Sequence, residues 1–486
     1  MNPAAIFRTA GIRVIEARHA DAHPPLMERA GKALADAALE MLGGGRGTPL
    51  IVAGPGNNGG DGFVCARLLK ARGIVPALVF AGAADRLPDD ARAAHDAWLA
   101  AGGKILPEIP DFPFALAVDA LFGIGLARPL EARYGELVEA INGRGCPVLA
   151  VDIPSGLCAD TGRILGNAVR ASRTITFIAL KPGLLTLDGP DCCGDLRISD
   201  LGLDAGEPEG RRISADLFRN CLRPRLKNSH KGSFGTAGIL GGAKGYAGAA
   251  LLAGRAALRL GAGRVLVGML ERLAVDPAQP ELMLREAGEV FGLASALAVG
   301  PGLGQSKTAL DLMRKAVDAP RPLVVDADGL NLLAEHPVIL NRLSRRQSPT
   351  ILTPHPLEAA RLLKTDTTAV QADRVAAALE LARRTRAHVA LKGCGTILAS
   401  PDGQWAINAT GNPGLASAGS GDALAGIAVA LLAQGWPVRE TLACAVHLHG
   451  AAADALVARG IGPVGLAAGE LVDDARALLN RWIAGD

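Results

Sequence analysis

Aromatic side chains are scarce: they make up 3% of the chain, with Trp 4, Tyr 2 and Phe 10 among 486 residues. Platforms that stack nucleic-acid bases are therefore not expected. A basic excess is missing as well. Lys+Arg 51 against Asp+Glu 48 leaves a net charge of +3, too small for a dedicated nucleic-acid or membrane-surface binder. The 8 cysteines form no CxxC pair, which leaves a structural zinc site without support and reduced, buried thiols as the plain reading. No uninterrupted apolar run reaches the roughly 18–20 residues that span a bilayer. The longest, Ala423 to Ala433, is too short. Arg8, Arg13, Glu16 and Arg18 crowd the start without an apolar stretch between them, so no secretory signal is visible. Together these absences lead us to expect a cytoplasmic protein with neither nucleic acid nor membrane as partner.

Apolar mass and glycine are what the chain does have. Hydrophobic residues at 49% against 20% charged exclude disorder for most of its length. The length implies two domains. In the first half, apolar runs at Pro49–Ala53, Ile74–Phe80, Phe114–Val118, Pro147–Val151 and Thr174–Ala179 alternate with helical patterns, one of them starting near Asp61. The second half repeats this alternation, with strand candidates such as Thr236–Leu240, Leu323–Asp326 and Val389–Lys392 and helix candidates such as Tyr246–Leu260 and Asp422–Ala433. Such alternation predicts parallel sheets with crossover helices. Between the halves, around 204–230, the chain turns polar and then basic, and the domain boundary is placed there.

Three loops of the first half converge on one chemistry. Gly54-Pro-Gly-Asn-Asn-Gly-Gly-Asp-Gly62 sits between a strand and a helix. Its glycines let backbone amides approach an anion, and the helix N-terminus adds partial positive charge. The Asn57 and Asn58 side chains have amide donors for phosphate and carbonyl oxygens for a cation. The run is neither GxGxxG nor a Walker loop. Val118-Asp119-Ala-Leu-Phe-Gly-Ile-Gly-Leu126 and Val151-Asp152-Ile-Pro-Ser-Gly156 each end a strand with an aspartate. A single such aspartate is commonly a helix cap. Three loops at strand ends, however, share one crevice in an open α/β sheet. Lys181, after another strand, reads equally as a phosphate screen or a surface lysine.

GPGNNGGDG, VDALFGIGL and VDIPSG, in that order, resemble the NAD(P)H-hydrate epimerase domain over 1–215. The resemblance implies a Rossmann-like three-layer α/β/α fold. It implies that Asn57, Asn58, Gly59, Gly60 and Asp61 hold the substrate phosphates, and that Gly123, Ile124, Gly125, Leu126, Ala127, Arg128 and Pro129 line the ligand. It further implies that Asn58, Asp119 and Ser155 surround a potassium ion and that Asp152 touches the hydrated nucleotide. Arg29 stands where the family usually has Asn. The C6 hydroxyl of a hydrated nicotinamide lies beside the ring nitrogen, so it can leave and return, and a carboxylate that shuttles a proton accelerates the inversion. Asp152 is assigned that role, with Asp119 as the alternative.

The second half carries Ala418-Gly-Ser-Gly-Asp422 before an apolar helix, Lys392-Gly-Cys-Gly-Thr396 after a strand, and Thr353-Pro-His-Pro-Leu-Glu358. Small residues at a helix start suit a transferring phosphoryl group, and Asp422 is placed to accept the proton of an attacking hydroxyl. Together with HKGSFG, GGAKGYAGA and GPGLG these motifs resemble the ribokinase-like NAD(P)H-hydrate dehydratases over 222–486. By that resemblance Ala249, Gly302, His355 and Asp422 contact the hydrated dinucleotide. Lys392, Gly393, Cys394, Gly395, Thr396 and Gly421 contact the adenine nucleotide, ADP or ATP, with Mg²⁺ on its phosphates. Cys394 replaces the Ala common in the family. The expected substrates are NADHX or NADPHX and ADP, and a homo-oligomer is expected. Two rivals stay open: a ribokinase-like vitamin or small-alcohol kinase fused to a nucleotide-binding domain, and a first half that binds without catalysing.

Overall fold

The computed structural model describes residues 4–44 and 47–485. The chain divides between Arg211 and Arg212 into two compact units.

The first unit is built on a 7-stranded sheet. Its spatial order is Ile105–Leu106, Ala77–Phe80, Pro49–Ala53, Leu116–Ala120, Val148–Val151, Arg173–Phe177 and Asp195–Ser199, all parallel. Alternate residues of each strand enter different apolar layers. Ile51, Val118 and Leu149 pack with Leu34, Phe63 and Trp98 of three helices, whereas Leu50, Ala117 and Val148 pack with Val138 and Ile141 of helix Ala132–Asn142. Strands covered on both faces read as continuous apolar runs, not as alternation. This is the Rossmann-like three-layer arrangement. The edge strands Ile105–Leu106 and Asp195–Ser199 escaped the sequence reading because the first is two residues long and the second is largely polar and half-exposed.

Strand order reverses at Pro49–Ala53, which lies between Ala77–Phe80 and Leu116–Ala120. The Gly/Asn loop follows Pro49–Ala53 and the Gly123 loop follows its neighbour Leu116–Ala120, so both stand at the reversal, where ligand crevices open in such sheets. Helix Asn57–Ala71 starts earlier than the Asp61 expected from its apolar pattern, so Asn57 to Gly60 form its first turn. Glycines carry no side chain from which helical periodicity could be read. Two of the glycines are required by backbone contact. A Cβ on Gly54 would stand 1.8 Å from the Leu121 carbonyl oxygen, and one on Gly59 would stand 2.1 Å from that of Gly54.

In the second unit the spatial order is Trp405–Ile407, Ile397–Ala399, His388–Leu391, Thr350–Leu352, Leu323–Val325, Ala296–Val299, Thr236–Gly241, Arg264–Met269 and Met283–Glu286. The first three are joined antiparallel and the rest run parallel. Helix Ser420–Ala433 is apolar on all sides and buried from Ala423 onward. A Cβ on Gly426 would lie 2.2 Å from the Ala253 carbonyl, so this helix meets Ala247–Arg259 backbone to backbone. Among the described residues one helix, Val438–Ala458, is long and apolar enough to cross a membrane, and 67% of its apolar stretch is buried inside the protein.

Gly54→Ala should destabilise the first unit by about 2–3 kcal/mol, since overpacking here meets a carbonyl rather than a side chain. Urea unfolding followed by Trp98 fluorescence, with Trp405, Trp436 and Trp482 replaced by Phe, measures this. Unchanged stability would contradict the close approach.

Candidate functional site

A cavity of about 990 Å³ opens at the reversal point of the first sheet. Asn57, Asn58, Asp61, Gly123, Ile124, Gly125, Leu126, Ala127, Arg128 and Asp152 line it. Gly59 and Gly60 lie beneath, buried in the first helical turn, and Pro129 stands outside the wall.

Lys181 is not a surface residue. Its side chain has no exposure, and Nζ donates to Asp152 Oδ1 at 2.5 Å, Thr176 Oγ1 at 2.9 Å and the Phe177 carbonyl at 2.8 Å. The chain turns inward after the strand, and the lysine meets a carboxylate buried at the next strand end. Asp152 itself has φ 64, a left-handed conformation tolerated by Asp better than by most residues. Thr176 Oγ1 and the Phe177 amide donate to the same Oδ1, at 3.2 and 3.1 Å; Oδ2 takes none of these bonds. Burial, with Asp152 and Glu16 nearby, holds the Asp61 carboxyl well above the usual range. Glu16 and Arg13, on helix Thr9–Arg18, also line the cavity. Burial and the Asp152 charge raise the Glu16 pKa. Sequence reasoning missed both, because single charges on an amphipathic helix carry no motif.

Asp119 and Ser155 are wholly buried. Asp119 Oδ1 accepts the Ser155 hydroxyl at 2.6 Å and the Leu121 amide at 3.2 Å, and Oδ2 accepts the Ser155 amide at 2.8 Å. Burial raises the Asp119 carboxyl to about 6 against the lowering effect of the Ser155 bonds. The buried Asn58 amide nitrogen has no hydrogen-bond partner. Arg29 clamps its loop through the carbonyls of His23, Pro24 and Leu201, so the residue that departs from the family pattern closes the local backbone.

The second unit gathers its expected residues at the carboxyl ends of its parallel strands. A Cβ on Gly302, at φ 56, would lie 3.1 Å from the Ala249 Cβ, so these two residues are neighbours. Lys392 Nζ donates to Asp326 Oδ1 at 2.7 Å. Burial alone would lower the lysine pKa, but Asp326 and Glu358 more than offset it, and the ammonium is held above its ordinary range. Asp422 stands in the first turn of helix Ser420–Ala433, where burial and Asp326 raise its carboxyl to about 6 and Lys392 opposes them. Half-exposed His355 caps helix Pro356–Leu363, its Nδ1 accepting from the Leu357 and Glu358 amides. Burial and Lys392 lower its pKa, whereas burial raises Glu358 to about 7. Cys394 is exposed. Beneath its loop, buried Arg374 donates to the Leu391 and Lys392 carbonyls at 3.2 Å each. His449 meets the Ser420 carbonyl at 3.0 Å from below, and burial pushes its pKa down to about 4. Asp326, Arg374 and His449 were not foreseen. Asp326 ends a strand as Asp119 and Asp152 do, and the same rule would have found it.

The fold is that of a two-unit α/β protein whose second unit is ribokinase-like. A ribokinase-like protein from Enterococcus faecalis matches 56% of this chain and 96% of its own at TM-score 0.50 and 25% identity. Residues 24–183 match the YjeF-related protein N-terminus and 237–473 the NAD(P)H-hydrate dehydratase family. The bifunctional NAD(P)H-hydrate repair enzyme of Escherichia coli is 42% identical, over 89% of this chain and 85% of that protein. The corresponding protein of Thermofilum pendens is 37% identical, over 88% and 87%. The chain belongs to the family of bifunctional NAD(P)H-hydrate repair enzymes.

Lys181→Met should cost about 3–5 kcal/mol of stability at neutral pH, because it strands a buried carboxylate. Adding Asp152→Asn should recover part of that loss. Urea unfolding of both variants checks this; a single variant as stable as the parent would show that the pair is not buried as described.

Proposed function

We propose that the first unit, over 1–215, interconverts the R and S forms of C6-hydrated NAD(P)H, and that the second, over 222–486, dehydrates the S form at the expense of ADP, giving AMP and phosphate. The observation that carries this reading is that each unit sets a carboxylate among cationic and backbone donors at the ligand end of its sheet. Asp152 lies on buried Lys181, and Asp422 lies at a helix N-terminus beside Lys392.

In the first unit the C6 hydroxyl leaves as water, on a proton relayed from solvent through Asp152, as the ring nitrogen donates its electron pair; water returns on the other face and its proton leaves by the same carboxylate. Lys181 holds one oxygen of Asp152, so the proton moves on the other. Asn57, Gly59, Gly60 and Asp61 at the helix start, with the Gly123 to Pro129 loop, would hold and cover the nucleotide. Potassium suits the Asn58, Asp119 and Ser155 set, which offers only oxygens and one formal charge. The unpartnered buried amide of Asn58 supports it, since turning that amide presents its oxygen instead. When bound, the ion would anchor the loops around the phosphates.

In the second unit Asp422 takes the proton of the C6 hydroxyl, whose oxygen attacks the terminal phosphorus of ADP as AMP leaves. Phosphate then departs from C6 while C5 loses a proton, which restores the ring double bond. Ala249, Gly302 and His355 would position the dinucleotide, and Lys392 to Thr396 with Gly421 the donor. No group of three or more His, Cys, Asp or Glu that could hold a metal occurs among the described residues, so Mg²⁺ would arrive on the nucleotide phosphates. A cytoplasmic homo-oligomer belongs to the same reading.

The test mixes both epimers of hydrated NADH with ADP and Mg²⁺ and follows the reduced-nicotinamide band at about 340 nm. The parent should restore the whole pool. Asp152→Ala should restore about half quickly and the rest only as fast as spontaneous inversion allows. If Asp152→Ala clears both epimers at the parental rate, Asp152 is structural. A vitamin kinase would leave the band absent and phosphorylate a small alcohol instead.

Asp422→Asn should slow dehydration about 10²–10⁴-fold with nucleotide binding kept. A base must be ionised to accept a proton, so the parent's rate should fall as pH drops through about 6, where Asp422 becomes protonated. A variant within about threefold of the parent, or a rate flat through that range, removes Asp422 from the mechanism.

A further inference from the structure

Asp326 follows strand Leu323–Val325 and is 1% exposed. Its Oδ1 holds the Lys392 ammonium, and a Cβ built on Gly421 would stand 3.3 Å from that ammonium and 3.4 Å from Asp326 Oδ2. The ion pair thus rests against the first turn of helix Ser420–Ala433, beside Asp422. The residue after Asp326 is strained: Ala327 has φ 48 and ψ -120, a conformation costly for any side chain with a Cβ. The turn it makes sends neighbouring carboxylates in different directions. Asp326 goes to Lys392, while Asp328 accepts the Gly304 amide at 2.8 Å and ties down the loop that contains Gly302.

Three carboxylates act electrostatically on this ammonium: Asp326, Glu358 from helix Pro356–Leu363, and Asp422. Only the Asp326 carboxylate is hydrogen-bonded to it. Lysine is a mobile point charge on a flexible stem. Without a fixed partner it would settle on whichever acid lay nearest, and Asp422 is the acid that the chemistry needs unpaired.

We propose that Asp326 is a positioning residue, holding the Lys392 ammonium at the start of helix Ser420–Ala433 so that the cation meets the donor phosphates and Asp422 stays free for the substrate hydroxyl. The proposal rests on reading the second unit as the site of nucleotide-driven dehydration. Asp326 touches neither substrate nor nucleotide in this scheme; it acts through Lys392.

The experiment uses the full chain. Mg²⁺-ADP binding is measured by titration calorimetry, and dehydration of the S hydrate by steady-state kinetics. Asp326→Asn should weaken ADP binding and raise its KM about 10–100-fold, the loss of one charge-assisted phosphate contact. The KM for the hydrated dinucleotide should stay within about threefold, and Asp326→Glu should recover most of the ADP affinity. Because Asp326 acts through Lys392, the double variant Asp326→Asn, Lys392→Met should bind ADP no more weakly than Lys392→Met alone. The idea is overturned if Asp326→Asn binds ADP within about twofold of the parent, or if its effect multiplies that of Lys392→Met. Should Asp326→Asn fail to fold, Lys392→Met against the double variant, in which neither charge is stranded, decides the question alone. A parent chain that binds ADP without dehydrating the hydrate would sink the functional reading, and the binding cycle would still decide the role of Asp326.

Discussion

Helices cover both faces of each sheet, so charged groups of the sheet have only the strand ends at which to meet water or a ligand. The charges to which the proposed chemistry is assigned sit at those ends. Asp119, Asp152 and Lys181 do so in the first unit and Asp326 and Lys392 in the second, all half-buried or buried where a lone charge would be costly. Each lysine at these ends is therefore locked to an acid: Lys181 to Asp152, Lys392 to Asp326. The pairs are local, and they differ in purpose. In the first unit the paired acid is the one assigned to move a proton. In the second, as proposed, the paired acid would hold the lysine and leave a third group, Asp422, for the proton.

Burial on both faces also explains which parts of the fold could be read from the chain. Pro49–Ala53 and Val148–Val151 stood out as apolar runs because both of their faces are covered. The edge strands, short or polar, gave no such signal. The start of helix Asn57–Ala71 was hidden because its first turn is made of polar residues and glycines, one of them required by close backbone contact. The site loops were legible because glycine, asparagine and strand-end acids have few other reasons to cluster. Residues that serve the site from elsewhere were not. Glu16, Arg374 and His449 lie on helices without a surrounding motif, and only folding brings them to the crevice or beneath the loops.

Small side chains bring the second unit's central helices together. Gly426 against Ala253 lets Ser420–Ala433 approach Ala247–Arg259 at backbone distance. This fixes the height at which Ser420, Gly421 and Asp422 emerge above the sheet. His449 reaches the Ser420 carbonyl from the neighbouring helix and fixes its rotation.

Arg374 acts under the Lys392–Thr396 loop rather than in it. Its guanidinium spans the carbonyls of Leu391 and Lys392 from a buried position, and Gly393 passes over it at φ 138. The loop is thereby shaped before any nucleotide arrives. The conformational entropy of that segment is lost during folding and not during association. With the nucleotide in the proposed place, its binding would have the thermodynamic signature of a ligand entering a rigid cradle: a heat-capacity change set by the surface the ligand itself covers, without the added contribution of a loop becoming ordered.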